Sequence, residues 1–372
     1  MNRPKTKIAF VKFAGMASGG VEKYLQTIAC MLPKEEFEVD YFYTNAAPFI
    51  NSDFVHPDND PERLKLVDSH GVRTIKVHVE AKYGDPEPYE WVNTDFWELF
   101  DESKYDAVTT AGAGCLEYPY NLINKTKIIA TIHGFHGYDR PNIYRAILLC
   151  DWQAGEWAKN GGNTSKAVII PGLIEAPPKK ESTIREVMSI PQDAFVYGFH
   201  QGNREDIFSP ASLQAYDLIK NPNNYFVIMG GANKHRELGR QLNCPNIKFI
   251  DFSSSTKDIH NFLGGIDVFA HARADGEVCS GAIIEALYHG KPVISHPALN
   301  MGHAEQIDGC GKLVYTLEEY AKEMLKLERD KDHYNNMSKN ALEKYRKKYD
   351  YNVIKRKILD VYLELRHLNE SE

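Results

Sequence analysis

The sequence predicts an α/β fold in two similar halves, and three observations predict it. Strand-like apolar runs alternate with helix-period segments from one end to the other, the pattern of largely parallel sheets. A length of 372 residues is long for one domain and comfortable for two. Residues 171–183, PGLIEAPPKKEST, combine three prolines with a charge run and read as a linker. The expected fold class is therefore α/β, two Rossmann-like domains facing each other across a cleft. The expected boundaries are 1–176 for the first domain and 177–350 for the second. A final helix over 351–372 is expected to return to the first.

Ile8 to Phe13 reads as the first strand and is followed by the glycine-rich loop Gly15–Gly20. Val21 to Leu32 places apolar residues at helical spacing. Phe37 to Tyr43 alternates as a strand, Glu62 to Ser69 is a helix and Arg73 to Val79 a strand. Glu90 to Phe100 carries a Trp/Phe stripe that predicts a core-facing helix. Asp106 to Thr110 and Lys127 to Ile132 are strands, Asn142 to Leu149 reads as a short helix, and Ala167 to Pro171 closes the half as a strand.

The second half predicts strands at Phe195 to Gly198, Tyr225 to Met229, Ile247 to Phe252, Asp267 to Ala270 and Pro292 to His296. Helices are expected at Pro210 to Ile219, Arg236 to Leu242, Thr256 to Leu263, Gly281 to His289 and Leu317 to Glu328. The tail from Met337 to Leu368 reads as mostly helical. Ligands of such sheets bind at the carboxyl ends of the strands, so the expected site is the crevice between the halves.

Composition excludes several classes. A net charge of −7 gives nucleic-acid binding no bulk support. The cysteines at 30, 115, 150, 244, 279 and 310 form no C-x-x-C pair, which argues against a zinc site or disulfide framework and fits a reducing compartment. The N-terminus shows no signal-peptide pattern and no apolar run reaches membrane-spanning length, so a cytoplasmic protein is expected.

Arg273 to Pro297, RADGEVCSGAIIEALYHGKPVISHP, carries the chemistry. Small residues Cys279, Ser280, Gly281 and Ala282 at a helix start leave backbone N–H groups uncovered, and these favour an anion such as a diphosphate. Glu285 falls about one turn into that helix, suited to accept from a diol such as ribose. Glu277, in the loop ahead, suits a neutral sugar. Taken alone, two glutamates eight apart also fit a solvated loop and a favoured first turn.

The run resembles the E-x7-E donor motif of retaining GT-B glycosyltransferases, especially family 4 (group 1). Glu277, Glu285, Ala286, Gly290, Pro292, Val293 and Ile294 match it, while Val278, Cys279 and Ser280 replace the usual glycine-aromatic-glycine. Gly302, Glu305, Gly309 and Gly311 resemble the family's next motif, and Gly19-Gly20-Val21-Glu22 its N-terminal G-G-x-E.

The resemblance implies transfer of a hexose-type sugar from a UDP- or GDP-linked donor, with retention and without a bound metal or other cofactor. Diphosphate stabilisation would supply most of the rate. Glycan or lipid-linked acceptors are the implied partners, which leaves peripheral membrane contact open. His133, in T-I-H-G at a strand end, is assigned with Glu277 to the transferred sugar, with His136 as its fallback. Gly19, Gly20, His200, Arg204, Arg273, Cys279, Ser280, Gly281 and Glu285 are assigned to the donor. In Gly198–Arg204 the family has G-R-x-x-x-x-K; Phe199 stands at the arginine and Arg204 near the lysine, with His200 or Arg273 able to supply the missing charge. An ion pair with Glu205 or Asp206 is the other use for Arg204. His271 opens the donor loop and fits a structural or a functional role. The base is expected around Phe252 and Ser253. Two rivals share the fold: a sugar-nucleotide epimerase or hydrolase, and a decayed donor-binding protein.

Overall fold

A computed structural model describes residues 4–12, 15–44, 59–82, 90–112, 119–177 and 181–369. Phe13, Cys115 and the linker residues 178–180 lie outside the described residues. The chain divides into two compact units, Met1–Pro171 with Ile354–Glu372, and Gly172–Val353. Each is built on a parallel sheet with helices, the α/β class that the sequence predicts.

In the first unit the strands are β1 (Thr6–Val11), β2 (Phe37–Thr44), β3 (Arg73–Val77), β4 (Val79–Lys82), β5 (Glu90–Thr94), β6 (Ala107–Gly112), β7 (Lys127–Ile132), β8 (Ile143–Leu148) and β9 (Ala167–Ile169). Seven form one sheet in the order β3-β2-β1-β6-β7-β8-β9, all parallel, while β4 and β5 pair as an antiparallel hairpin. Phe10, Val11, Val108 and Ile129 are fully buried, as both faces of a parallel sheet require. The terminal helix Tyr351–Asn369 packs on this sheet. Tyr362 is fully buried, its hydroxyl 2.9 Å from Thr109 Oγ1 and its ring stacked on Phe10. Arg366 donates to Glu36 at 2.7 Å.

Two predicted helices of this unit are corrected. Asn142–Leu149 is the strand β8, because Ile143, Ala146, Ile147 and Leu148 fill a position paired on both sides, by β7 and β9. A short, largely apolar segment such as IYRAIL suits such an interior strand as well as it suits a helix. Over Glu90–Phe100 only Phe96–Leu99 is helical; Glu90–Thr94 is a strand. The break falls at Asp95, whose Oδ1 accepts from His78 N at 2.8 Å, and at Thr94, whose Oγ1 accepts from Phe96 N. Phe96 and Phe100 are core, but Trp97 is 38% exposed.

In the second unit the strands are β10 (Phe195–Gln201), β11 (Asn224–Gly230), β12 (Ile247–Ile250), β13 (Val268–Ala270), β14 (Val293–Ser295) and β15 (Gly311–Leu313), ordered β12-β11-β10-β13-β14-β15 and all parallel. Helix Gly281–Tyr288 buries Ile283, Ile284, Ala286 and Leu287 against this sheet. Burial of each large apolar side chain contributes about 1.5–3 kcal/mol, enough to fix which helix face is left for a ligand. Among the described residues no helix is long and apolar enough to cross a membrane, and Cys30, Cys244 and Cys310 are free thiols.

Candidate donor site

The site grows from the carboxyl end of β13. The chain leaves the sheet at His271 and runs through Arg273 and Asp275 to Gly276, where φ is +66. A Cβ there would lie 2.1 Å from the Asn300 carbonyl oxygen, so only glycine lets the two segments meet. The segment 300–303 then holds the loop. Asn300 N donates to Asp275 O at 2.9 Å, Glu277 N to Asn300 O at 3.2 Å, and His303 N to Glu277 O at 2.9 Å.

Ser280 caps the helix that follows. Its Oγ accepts from Ile283 N at 3.3 Å, while the Gly281 and Ala282 amides have no hydrogen bond within the helix, as at any helix start. Gln306 fixes the cap: Ser280 N donates to Gln306 Oε1 at 2.7 Å, and Gln306 Nε2 donates to Ser280 O at 3.1 Å and to Cys279 Sγ at 3.5 Å. Gln306 is 1% exposed. Sequence reading missed it because it occupies a variable place between Glu305 and Ile307 in the motif. Glu305 itself is taken up by Lys348, which donates to its Oε1 at 2.8 Å.

Glu277 and Glu285 are both largely shielded, each with 16% of its side chain exposed. Arg273 Nη1 donates to Glu277 Oε1 at 2.9 Å, while its Nε and Nη2 grip Asp275 at 2.9 and 2.7 Å. Burial alone would raise the Glu277 carboxyl; the His271 imidazole, the Arg273 guanidinium and the Ser280 hydroxyl outweigh it and hold the group at about 2, so it is anionic at neutral pH. Glu285 lies in the second turn, its Oε2 3.0 Å from His200 Nε2, an approach too oblique for a hydrogen bond. The His200 ring is set edge-on to Phe262 and Phe269. Cys279, Ser280 and Gly281 thus share one loop with Glu277, and His200 joins Glu285 from β10.

The loop after β10 differs from its expected alignment. Gly198 and Phe199 lie inside the strand, and a Cβ on Gly198 would meet Val227 O at 2.5 Å. Phe199 is 1% exposed and packs against the Phe226 and His235 rings. It is a core side chain, not the site of a lost cation; the loop starts at Gly202. Arg204 is 60% exposed and pairs through both Nε and Nη2 with Asp206. Ala274 N donates to Ile207 O at 3.2 Å, tying this loop to that of Arg273.

The remaining candidates belong to the first unit. Gly19 caps helix Gly20–Met31 without a side chain, and nothing lies within 4 Å of where a Gly20 Cβ would sit. His133 follows β7; its amide donates to Gly112 O at 2.8 Å and its ring meets Tyr24 edge-on at 5.2 Å. Its Nε2 is buried without a hydrogen bond. Burial, then the Lys12 charge, lowers it to about 3, so the imidazole is neutral. Gln153 grips the backbone on both sides, donating to Ile132 O at 2.7 Å and Gly134 O at 2.5 Å. No sequence signal marked Gln153. His136 is exposed and stacks on Phe135.

The comparisons with known proteins agree with this architecture. Residues 211–344 match the family model described as Glycosyl transferases group 1. The chain is similar in structure to HepE of Anabaena, solved with UDP and glucose, at 17% identity and a TM-score of 0.68 over 96% of this chain and 99% of that one. It is similar to sucrose-phosphate synthase from Thermosynechococcus elongatus at 14% identity and a TM-score of 0.74, over 99% and 100%. WaaG, a glycosyltransferase involved in lipopolysaccharide biosynthesis, matches at 13% and 0.67 over 95% and 99%. No curated protein sequence matches the chain. The fold is that of the GT-B glycosyltransferases. The match to that family model lies in the second unit, and the motif residues 277, 285 and 302–311 fall within it.

Proposed function

We propose that the chain is a retaining glycosyltransferase of family 4 type that moves a hexose-type sugar from a nucleotide-diphosphate sugar to a hydroxyl acceptor. One observation carries the reading: a serine-capped helix start with open amides, flanked by two shielded carboxylates, Glu277 before it and Glu285 after its first turn. The amides suit the diphosphate, Glu285 the ribose diol and Glu277 the sugar hydroxyls. Arg204 and Arg273 supply cations beside them. Arg204 reaches a phosphate only by exchanging Asp206 for it, which its exposure makes inexpensive. The neutral His133 donates or accepts a single hydrogen bond at the sugar without adding charge. Departure of the diphosphate, stabilised by the helix amides, is the step the site favours, and a phosphate oxygen takes the acceptor proton on the same face. HepE binds UDP and glucose, and we carry a UDP donor over to this chain as the first to try.

A thermal-shift screen of UDP-, GDP-, ADP- and dTDP-sugars tests the reading. A donor at 100 times its dissociation constant adds about 2.7 kcal/mol. NMR of the product with that donor should show the anomeric configuration retained. Stabilisation by no nucleotide-sugar, or an inverted product, overturns it.

A further inference from the structure

His271 stands at the mouth of β13, 4% exposed, and beyond its pull on the Glu277 carboxyl no role in binding the donor has been given to it. Its Nδ1 lies 2.7 Å from Ser295 Oγ. Its Nε2 is buried with no hydrogen-bond partner, and points at Glu277 Oε1 across 3.9 Å. A buried ring nitrogen left without a hydrogen bond is costly, so the gap is a feature to be explained.

The gap has the size of a bridging oxygen. One oxygen at about 2.8 Å from both atoms closes the triangle with an angle near 90° at the oxygen, within hydrogen-bonding range. The anionic Glu277 oxygen requires an N–H, not a lone pair, on the facing nitrogen. The Ser295 hydroxyl donating to Nδ1 selects that tautomer. An oxygen in the gap therefore accepts from His271 and donates to Glu277, which a hydroxyl does and an ether or carbonyl does not. His303 packs beside the ring at 5.4 Å between centroids, but its Nδ1 faces Glu277 N and its Nε2 faces His296 O, so it does not compete.

Resting on the glycosyltransferase reading above, we propose that His271 is a specificity-determining residue which, with Glu277, clamps one hydroxyl of the transferred sugar. His271 and Arg273 divide the carboxylate between them: Arg273 anchors Oε1 from one side, and His271 supplies the second donor that the sugar oxygen meets.

The test uses the full chain and calorimetry with UDP against UDP-glucose, and GDP against GDP-mannose. The readout is the ratio of sugar-nucleotide to nucleotide dissociation constants. His271→Leu is expected to raise that ratio about tenfold while the bare nucleotide's constant stays within about twofold, the worth of one lost hydrogen bond. His271→Gln, whose amide reaches the Nε2 position, is expected to restore most of it. Ser295→Ala keeps the ring, releases its tautomer and is expected to raise the ratio about threefold, so a folded variant remains if His271→Leu fails to fold. Monodeoxy donors identify the hydroxyl: one should lose about tenfold with the parent and nothing further with His271→Leu. An unchanged ratio, or nucleotide and nucleotide-sugar weakening in parallel, overturns the clamp and leaves the glycosyltransferase reading intact. A parent that binds none of the four probes overturns both.

Discussion

Arg273→Met isolates the electrostatics of the donor loop. Arg273 and Glu277 have 20% and 16% of their side chains exposed, so their pair is only partly screened by water. A carboxyl held at about 2 instead of the ordinary 4.5 is stabilised in the folded chain by about 3 kcal/mol at neutral pH. The folded state depresses this carboxyl, so its contribution is complete above about pH 5 and is lost as pH falls through 4.5 towards 2. The His271 imidazole contributes first to that depression, with Arg273 and the Ser280 hydroxyl after it, so the variant should lose only part of it and be about 1–2 kcal/mol less stable than the parent at pH 7, with the gap closing as the pH falls to 3. Urea unfolding of both proteins from pH 7 to pH 3, followed by fluorescence and circular dichroism, measures it. A difference below about 1 kcal/mol at pH 7, or one that is constant with pH, refutes the coupling.

Gln306→Leu strands the buried Ser280 N–H and should cost about 1–3 kcal/mol, seen as a fall in Tm by calorimetry and as weaker nucleotide binding. Asp206→Asn releases Arg204 and should tighten nucleoside diphosphate binding by up to about fivefold, since an exposed pair is worth about 0–1 kcal/mol; unchanged or weaker affinity contradicts the phosphate role. His133 is held neutral in the folded chain and protonates on unfolding, so it costs stability as pH falls from 6.5 towards 3. His133→Phe should flatten that part of the stability curve, and an identical acid limb counts against its burial.

The alternation of strand and helix was legible because parallel strands buried on both faces read as apolar runs, as at Ile8–Val11 and Tyr225–Met229. The same property misled at Ile143–Leu148, where length and apolarity fit a short helix and only pairing with β7 and β9 decides. Around Thr94–Asp95 two side-chain hydrogen bonds end the strand and restart the chain as one helical turn, a tertiary choice invisible to periodicity. In the candidate site, the gathering of Glu277, Ser280, Gly281 and Glu285 about one helix start was legible because it depends on local spacing. Gln306 and Gln153 were not, since each acts on a segment distant in sequence through a contact that only folding creates. Phe199 was misplaced because a motif letter was matched without the strand that swallows it.

Glu285→Ala, assayed for sugar transfer and for nucleotide binding at matched Tm, gives the most direct test of the donor helix. Transfer abolished and nucleotide affinity reduced, on a chain that unfolds like its parent, is the predicted result. Full activity from that variant would contradict the assignment of this helix to the donor.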